Sequence, residues 1–109
     1  MDNDQPMMLL RARIHADVCE EFDRWFKSTH LEEVRAIPGI VEVRAGTAPD
    51  GLRLGIYFFI NADSVQPALA SPAAVAARAS WERWQPHLQE MSVEFWAAVT
   101  PTPLFEEIN

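Results

Sequence analysis

The sequence predicts an α+β domain of the ferredoxin-like kind, with element order βαββαβ and a four-stranded antiparallel sheet carrying its helices on one face. Three observations predict it. Four segments alternate apolar and polar residues at the two-residue period of half-buried strands. Between them, two longer segments repeat apolar residues at helical spacing and carry helix start and stop signals. The turn Ala48-Pro49-Asp50-Gly51 separates the middle two strands and makes them a hairpin.

Residues 1–6 are polar and acidic and are expected to be a disordered lead. The first strand runs from Met7 to His15, with Leu10, Ala12 and Ile14 on one face and Arg11, Arg13 and His15 on the other. Asp17 is the expected N-cap of the first helix, with Glu20 three residues on as in a capping box. Val18, Phe22, Trp25 and Phe26 form the buried stripe of that helix, with Thr29 next along it. A kink near His30 is expected, after which Leu31, Val34 and Ile37 continue the apolar face to a stop at Pro38-Gly39. The second strand spans Ile40 to Thr47 and the third Leu52 to Ile60. A short helical piece follows from Asn61 to Ala70. Ser71 and Pro72 then start the second helix as N-cap and first helical residue. Ala77, Trp81, Trp84 and Leu88 are its stripe, and Pro86 its expected end. The fourth strand is Met91 to Val99. The expected domain is thus residues 7–103, with 104–109 a tail.

Size and composition set limits. A chain of 109 residues is one domain with a modest core. Four Trp, six Phe and one Tyr are a heavy aromatic load, which suggests a large pocket, a subunit interface or both. The formal net charge of −7 argues against nucleic acid or an anionic membrane as a partner. No apolar run approaches the roughly 20 residues that span a bilayer. Cys19 is the single cysteine, so no disulfide forms within the chain, and a cytoplasmic setting is expected.

Sorting the strands by parity divides the sheet. The set read as facing the helices is Leu10, Ala12 and Ile14; Val41, Val43 and Ala45; Leu54, Ile56, Phe58 and Ile60; and Met91, Val93, Phe95, Ala97 and Val99. The other face is then expected to hold Arg11, Arg13, Arg44, Tyr57, Phe59, Glu94 and Trp96. Arginine and aromatic residues together are enriched at interfaces, so a homodimer through this face is expected. Arg11 and Arg13 are placed to pair with Glu90 and Glu94 across neighbouring strands.

Phe22, Trp25, His30 and Ile37-Pro38-Gly39 form a first-helix pattern that resembles EthD-like proteins of the dimeric α/β-barrel superfamily. Ser71-Pro72-Ala73-Ala74-Val75 resembles the second-helix start found across that superfamily. The resemblance extends over Met7 to Pro103. It implies two ferredoxin-like subunits sharing a barrel, and a ligand cavity in each subunit between helices and sheet. Members include monooxygenases that work without metal or flavin, polyketide cyclases, lactone isomerases and haem-handling proteins. Cyclases of the related stress-responsive barrel type carry a catalytic histidine two residues after the proline that opens the second helix. Ala74 stands there in this chain, so that mechanism does not transfer.

His30 is the leading catalytic candidate, because an imidazole titrates near neutrality and can move protons. Its bland alternative is a helix C-terminal cap. Phe22, Trp25, Trp81 and Trp84 are the candidate substrate-binding walls, and they are equally well read as core. His15 and His87 are weaker candidates. The three histidines are far apart and no Cys-x-x-Cys pair occurs, so no metal site is expected, and no phosphate-binding glycine loop is present. The expected function is binding of a hydrophobic, aromatic carbonyl metabolite, with cofactor-independent isomerase, cyclase or monooxygenase chemistry. A non-catalytic binding or accessory protein of a catabolic pathway, and a haem-binding protein, are the alternatives.

Overall fold

A computed structural model of the chain describes residues 4–101 and Leu104. Its strands are β1 (Gln5–Ile14), β2 (Ile40–Thr47), β3 (Arg53–Phe59) and β4 (Leu88–Val99). The helices are α1 (Cys19–Trp25), α2 (Leu31–Arg35), α3 (Val65–Ala70) and α4 (Pro72–Trp81). The sheet order is β2-β3-β1-β4, and every neighbouring pair is antiparallel. The helices cover one face, and Leu10, Ala12 and Ile14 are buried there against Phe22, Trp25, Trp81 and Trp84. This is the ferredoxin-like arrangement the element order predicts.

Several local expectations change. β1 begins at Gln5, inside the expected lead, because Gln5 pairs opposite Val99 and its side-chain amide donates to the Phe59 carbonyl at 3.2 Å. Residues 1–3, and the expected tail apart from Leu104, lie outside the described residues. Asp17 is not the N-cap. The chain first tightens into a 3-10 turn at Ala16–Val18, and the His15 ring caps it, with Nδ1 accepting from the Asp17 N–H at 3.3 Å. Ser71 does cap α4, its hydroxyl oxygen accepting from the Ala74 N–H at 3.1 Å, with Pro72 at the first turn. A 3-10 turn over Glu82–His87 absorbs Pro86, so β4 starts at Leu88 rather than Met91.

The expected kink is a π-helical turn, Phe26–His30, in which the Leu31 N–H reaches back to the Phe26 carbonyl. The wide turn leaves Thr29 exposed and brings His30 inward, so the buried stripe reads Phe22, Trp25, Phe26, His30, Val34, Ile37. Pi-turns inside helices are frequent at functional sites. The segment then ends at Gly39, whose φ of +97° suits glycine, and where a Cβ would come within 3.1 Å of the Ser64 Cβ.

The parity of β3 is the main correction. Tyr57 and Phe59 were expected on the dimer face; they are 2% and 0% exposed in the core beneath the helices. Leu54, Ile56 and Phe58 face the other way, half-buried on the open sheet face. Both alternate sets of β3 are apolar, so hydrophobicity alone could not choose between them. Register decides: Tyr57 lies opposite Met8 and Val43, and Gly55 opposite Leu10 and Ala45. In β2 a bulge between Ile40 and Glu42 pushes Val41 out to 54% exposure, so Ile40 takes the inward place expected of Val41.

The remaining members of the open face are where they were expected. Arg11 pairs with Glu94, and Arg13 with Glu90 at 2.8 Å and Asp50 at 3.1 Å. The Trp96 indole N–H donates to Glu94 at 3.2 Å, and the Arg44 guanidinium lies 6.0 Å from the Phe58 ring centre.

Candidate functional site

Between the helices and the sheet lies a cavity of about 580 Å³. Its floor is Met8, Leu10, Tyr57, Met91, Val93 and Phe95, and its roof includes Val34, Ile37, Ala74, Ala77 and Trp81. This size lies within the range of small-molecule sites. β4 is an edge strand that the helices do not fully cover. Met91, Val93 and Phe95 therefore remain 41–55% exposed on their cavity side and form an apolar lip. Exposed Arg78, Glu82 and Gln85 line the cavity from α4 and the turn after it.

Two buried polar side chains meet in this apolar space. The π-turn delivers His30 from above, and β3 delivers Tyr57 from below. His30 Nε2 and Tyr57 Oη are 2.7 Å apart. The imidazole stacks on Trp25, with ring centres 5.2 Å apart and planes at 26°, and has Phe26 at 4.8 Å and Trp81 edge-on at 5.5 Å. Its Nδ1 is buried and has no hydrogen-bond partner. Burial disfavours the charged form of each group: the His30 pKa falls to about 4, and Tyr57 is pushed well above the usual phenol range. At neutral pH both groups are therefore uncharged. Their hydrogen bond has two forms. Either the phenol donates to Nε2, or Nε2–H donates to Oη and leaves the phenol hydrogen available to a third atom.

The four expected wall residues separate. Trp81 lines the large cavity. Phe22 lines a second, smaller cavity of about 380 Å³ under α1, beside the Asp23–Arg53 ion pair, whose two bonds measure 2.8 and 3.1 Å. Trp25 and Trp84 line neither cavity. Their indole N–H groups are buried without partners, and they pack against Phe22 at 5.7 and 5.2 Å. Trp25 supports the site from behind, as the plane on which His30 rests. His15 is a turn cap, and His87 sits half-buried, edge-on to Trp84. Ala74, at the position where the related cyclases carry histidine, does line the cavity, but with a methyl group. Tyr57 could be read from the sequence either as a hydrogen-bond donor to an oxyanion or as part of the dimer face, and parity favoured the wrong one of the two faces. Its signal was the hairpin register. Among the described residues no group of three or more His, Cys, Asp or Glu side chains is placed to hold a metal ion, and no helix is long and apolar enough to cross a membrane.

No family model matches the sequence, and no curated protein does. Solved structures match over nearly the whole chain. SnoaB, a cofactor-independent oxygenase from Streptomyces nogalater, superposes with a TM-score of 0.69 at 19% identity, covering 94% of this chain and 99% of that one. A Streptomyces coelicolor monooxygenase solved with nanaomycin D gives 0.71 at 13% identity, covering 96% and 94%. An EthD-family protein from Bacillus halodurans C-125 gives 0.63 at 16% identity, covering 82% and 96%. The fold is the four-stranded antiparallel α+β arrangement that these solved structures share. At these identities the likeness of the dimeric-barrel neighbours speaks for the fold, and chemistry has to be argued from the site.

Proposed function

We propose that this protein binds a neutral, hydrophobic aromatic carbonyl or phenolic metabolite in the helix–sheet cavity and acts on it without a cofactor. The observation that carries the reading is the 2.7 Å contact between His30 and Tyr57, in a pocket whose lining is apolar apart from that pair and the exposed Arg78, Glu82 and Gln85. A ligand entering past Met91, Val93 and Phe95 would cover that lip. Its oxygen would take a hydrogen bond from the Tyr57 phenol, with His30 Nε2–H supporting the phenol oxygen. His30 is the proposed acid/base and Trp81 a proposed wall. The resemblance to EthD-like proteins and the named activities of the oxygenase neighbours support a cofactor-independent reaction.

The test uses 1-naphthol and 1,4-naphthoquinone as probes, followed by quenching of tryptophan fluorescence and by oxygen consumption. Tyr57→Phe is expected to weaken binding about fivefold to tenfold, the worth of one buried hydrogen bond. His30→Ala is expected to abolish turnover of any probe that the wild type consumes, while leaving the folded circular-dichroism spectrum. Full turnover by His30→Ala would sink the catalytic assignment, and failure of every probe to bind would sink the ligand class.

One observation favours a second reading, binding without turnover. With His30 at about 4 and Tyr57 raised, proton transfer between them in the free protein is steeply uphill. Such a pair is well suited to holding a neutral oxygen. Binding by all probes with no oxygen consumption or product would support this reading. The haem alternative would require His30 to give up Tyr57 to reach iron, and a shifted Soret band after haem addition would be needed to revive it.

The proposal includes a homodimer through the open sheet face. With β3 corrected, that face carries Met7, Leu9, Leu54, Ile56, Phe58 and Trp96 beside Arg11, Arg13, Arg44 and Glu94. It is more apolar than the expected set, which strengthens the argument. Light scattering at micromolar concentration is expected to give about twice the 12.4 kDa chain mass, falling to one chain in Phe58→Glu. A monomeric wild type would overturn it. The unpaired Cys19 fits a reducing compartment, and the cytoplasm is the proposed location.

A further inference from the structure

We infer that Gly55 is a positioning residue, whose missing side chain lets the Tyr57 phenol reach His30. Its consequence for ligand binding rests on the function proposed above, whereas the positioning itself does not.

The argument begins with strand periodicity. Gly55 and Tyr57 are two residues apart on β3 and share the helix-covered face. The tyrosine ring leans back along the strand over the glycine. A Cβ at position 55 would lie 3.1 Å from Tyr57 Cε1, 3.2 Å from Oη and 3.4 Å from Cζ. Those distances are tighter than ordinary carbon contacts, so the ring would have to move by a few tenths of an ångström. The crowded atoms include the one that bonds His30.

Backbone conformation does not explain the glycine. Among the described residues only Gly39 and Gly51 have positive φ, so position 55 suits any L-residue. What the site needs is space. The neighbouring Gly46 is a natural contrast, because a Cβ there would meet nothing within 4 Å. Tyr57 borders the large cavity, so its ring has room to yield without unfolding the sheet. A displacement of that kind lengthens a 2.7 Å hydrogen bond and spoils its angle, to which such bonds are sensitive.

Nitrogen-15 NMR of histidine-labelled protein tests this without any ligand. The chain has three histidines and one tyrosine, so the His30 Nε2 resonance reports the Tyr57 bond directly. Gly55→Ala is expected to move that resonance in the same direction as Tyr57→Phe, with His15 and His87 unmoved. Gly46→Ala is expected to leave it in place. The double variant Gly55→Ala/Tyr57→Phe is expected to match Tyr57→Phe alone. A Gly55→Ala protein whose Nε2 resonance stays at the wild-type position would overturn the inference. Should Gly55→Ala not fold, adding Tyr57→Leu, which removes the ring, is expected to restore folding; failure to restore it would also overturn the inference. Affinity for 1-naphthol in Gly55→Ala is expected to fall about fivefold, as for loss of one hydrogen bond. If 1-naphthol fails to bind the wild type, the proposed ligand class fails while the NMR result still decides the role of Gly55.

Discussion

Phe22→Ala is expected to cost about 4 kcal/mol of folding stability, the middle of the range for emptying a buried aromatic position. Phe22 is 1% exposed at the centre of an aromatic cluster. Its ring lies 5.7 Å from Trp25, 6.0 Å from Phe26, 5.5 Å from Trp81 and 5.2 Å from Trp84. Alanine forfeits the transfer energy of the ring and leaves a hole. The large, rigid indoles around it cannot collapse into that hole. Since domains of this size are stable by only about 5–15 kcal/mol, the loss is a large fraction of the total. Urea unfolding followed by tryptophan fluorescence measures it. A loss below about 1.5 kcal/mol would mean that the cluster repacks, contrary to this account. The site would be affected as well, because Trp25 is the plane on which His30 rests.

The second large effect is acid destabilisation centred on His30. In the unfolded chain its imidazole titrates at about 6.5, and in the folded protein burial lowers this to about 4. Between those values the unfolded state binds the extra proton and the folded state does not. Stability therefore rises with pH across the window, and it is lost as pH falls from 6.5 towards 4. The full difference is on the order of 3 kcal/mol, of which about 2 kcal/mol is lost between pH 7 and pH 5. Asp50 works in a lower window. The Leu52 N–H and Arg13 hold its carboxyl below the usual carboxylate range, so its contribution disappears only in stronger acid. Denaturant titrations at pH 7 and 5 check the claim. His30→Leu is expected to be less stable at pH 7, because Tyr57 loses its partner, but flatter between pH 7 and 5. A variant with the same slope as the wild type would place the titration elsewhere.

Much of this fold was legible in the sequence for local reasons. Ser71-Pro72 is a local helix-start signal, because the hydroxyl satisfies a free N–H and proline has no N–H to leave unsatisfied. Leu10, Ala12 and Ile14 alternate with arginines, so their inward face was unambiguous. β3 offered no such contrast. Its two faces, Leu54, Ile56 and Phe58 against Gly55, Tyr57 and Phe59, are both apolar, and choosing the more aliphatic set inverted the strand. A one-residue error of this kind moves every side chain to the opposite face. The hairpin held the missing signal. The Ala48 N–H bonds the Leu52 carbonyl at 2.8 Å, so Thr47 faces Arg53 and Val43 faces Tyr57. Counting outward from that turn puts Tyr57 under the helices. The π-turn was beyond such counting. No residue type in Phe26–His30 demands a five-residue hydrogen bond, and in the folded chain the turn leaves both His30 and Val34 buried.

By itself the sequence determined the βαββαβ order, the antiparallel sheet with helices on one face, and His30 as the histidine to explain. These follow from periodicity and caps, which act over a few residues. The tertiary structure alone decided the partner of His30, since Tyr57 is 27 residues away and arrives through strand register. It alone separated Trp81, which lines the cavity, from Trp25 and Trp84, which do not, because one aromatic stripe serves packing and wall alike until the helices are set on the sheet. It also set the charge state of the pair. An imidazole's pKa depends on what surrounds it, and the surroundings here are assembled from α1, β3, α4 and the π-turn together.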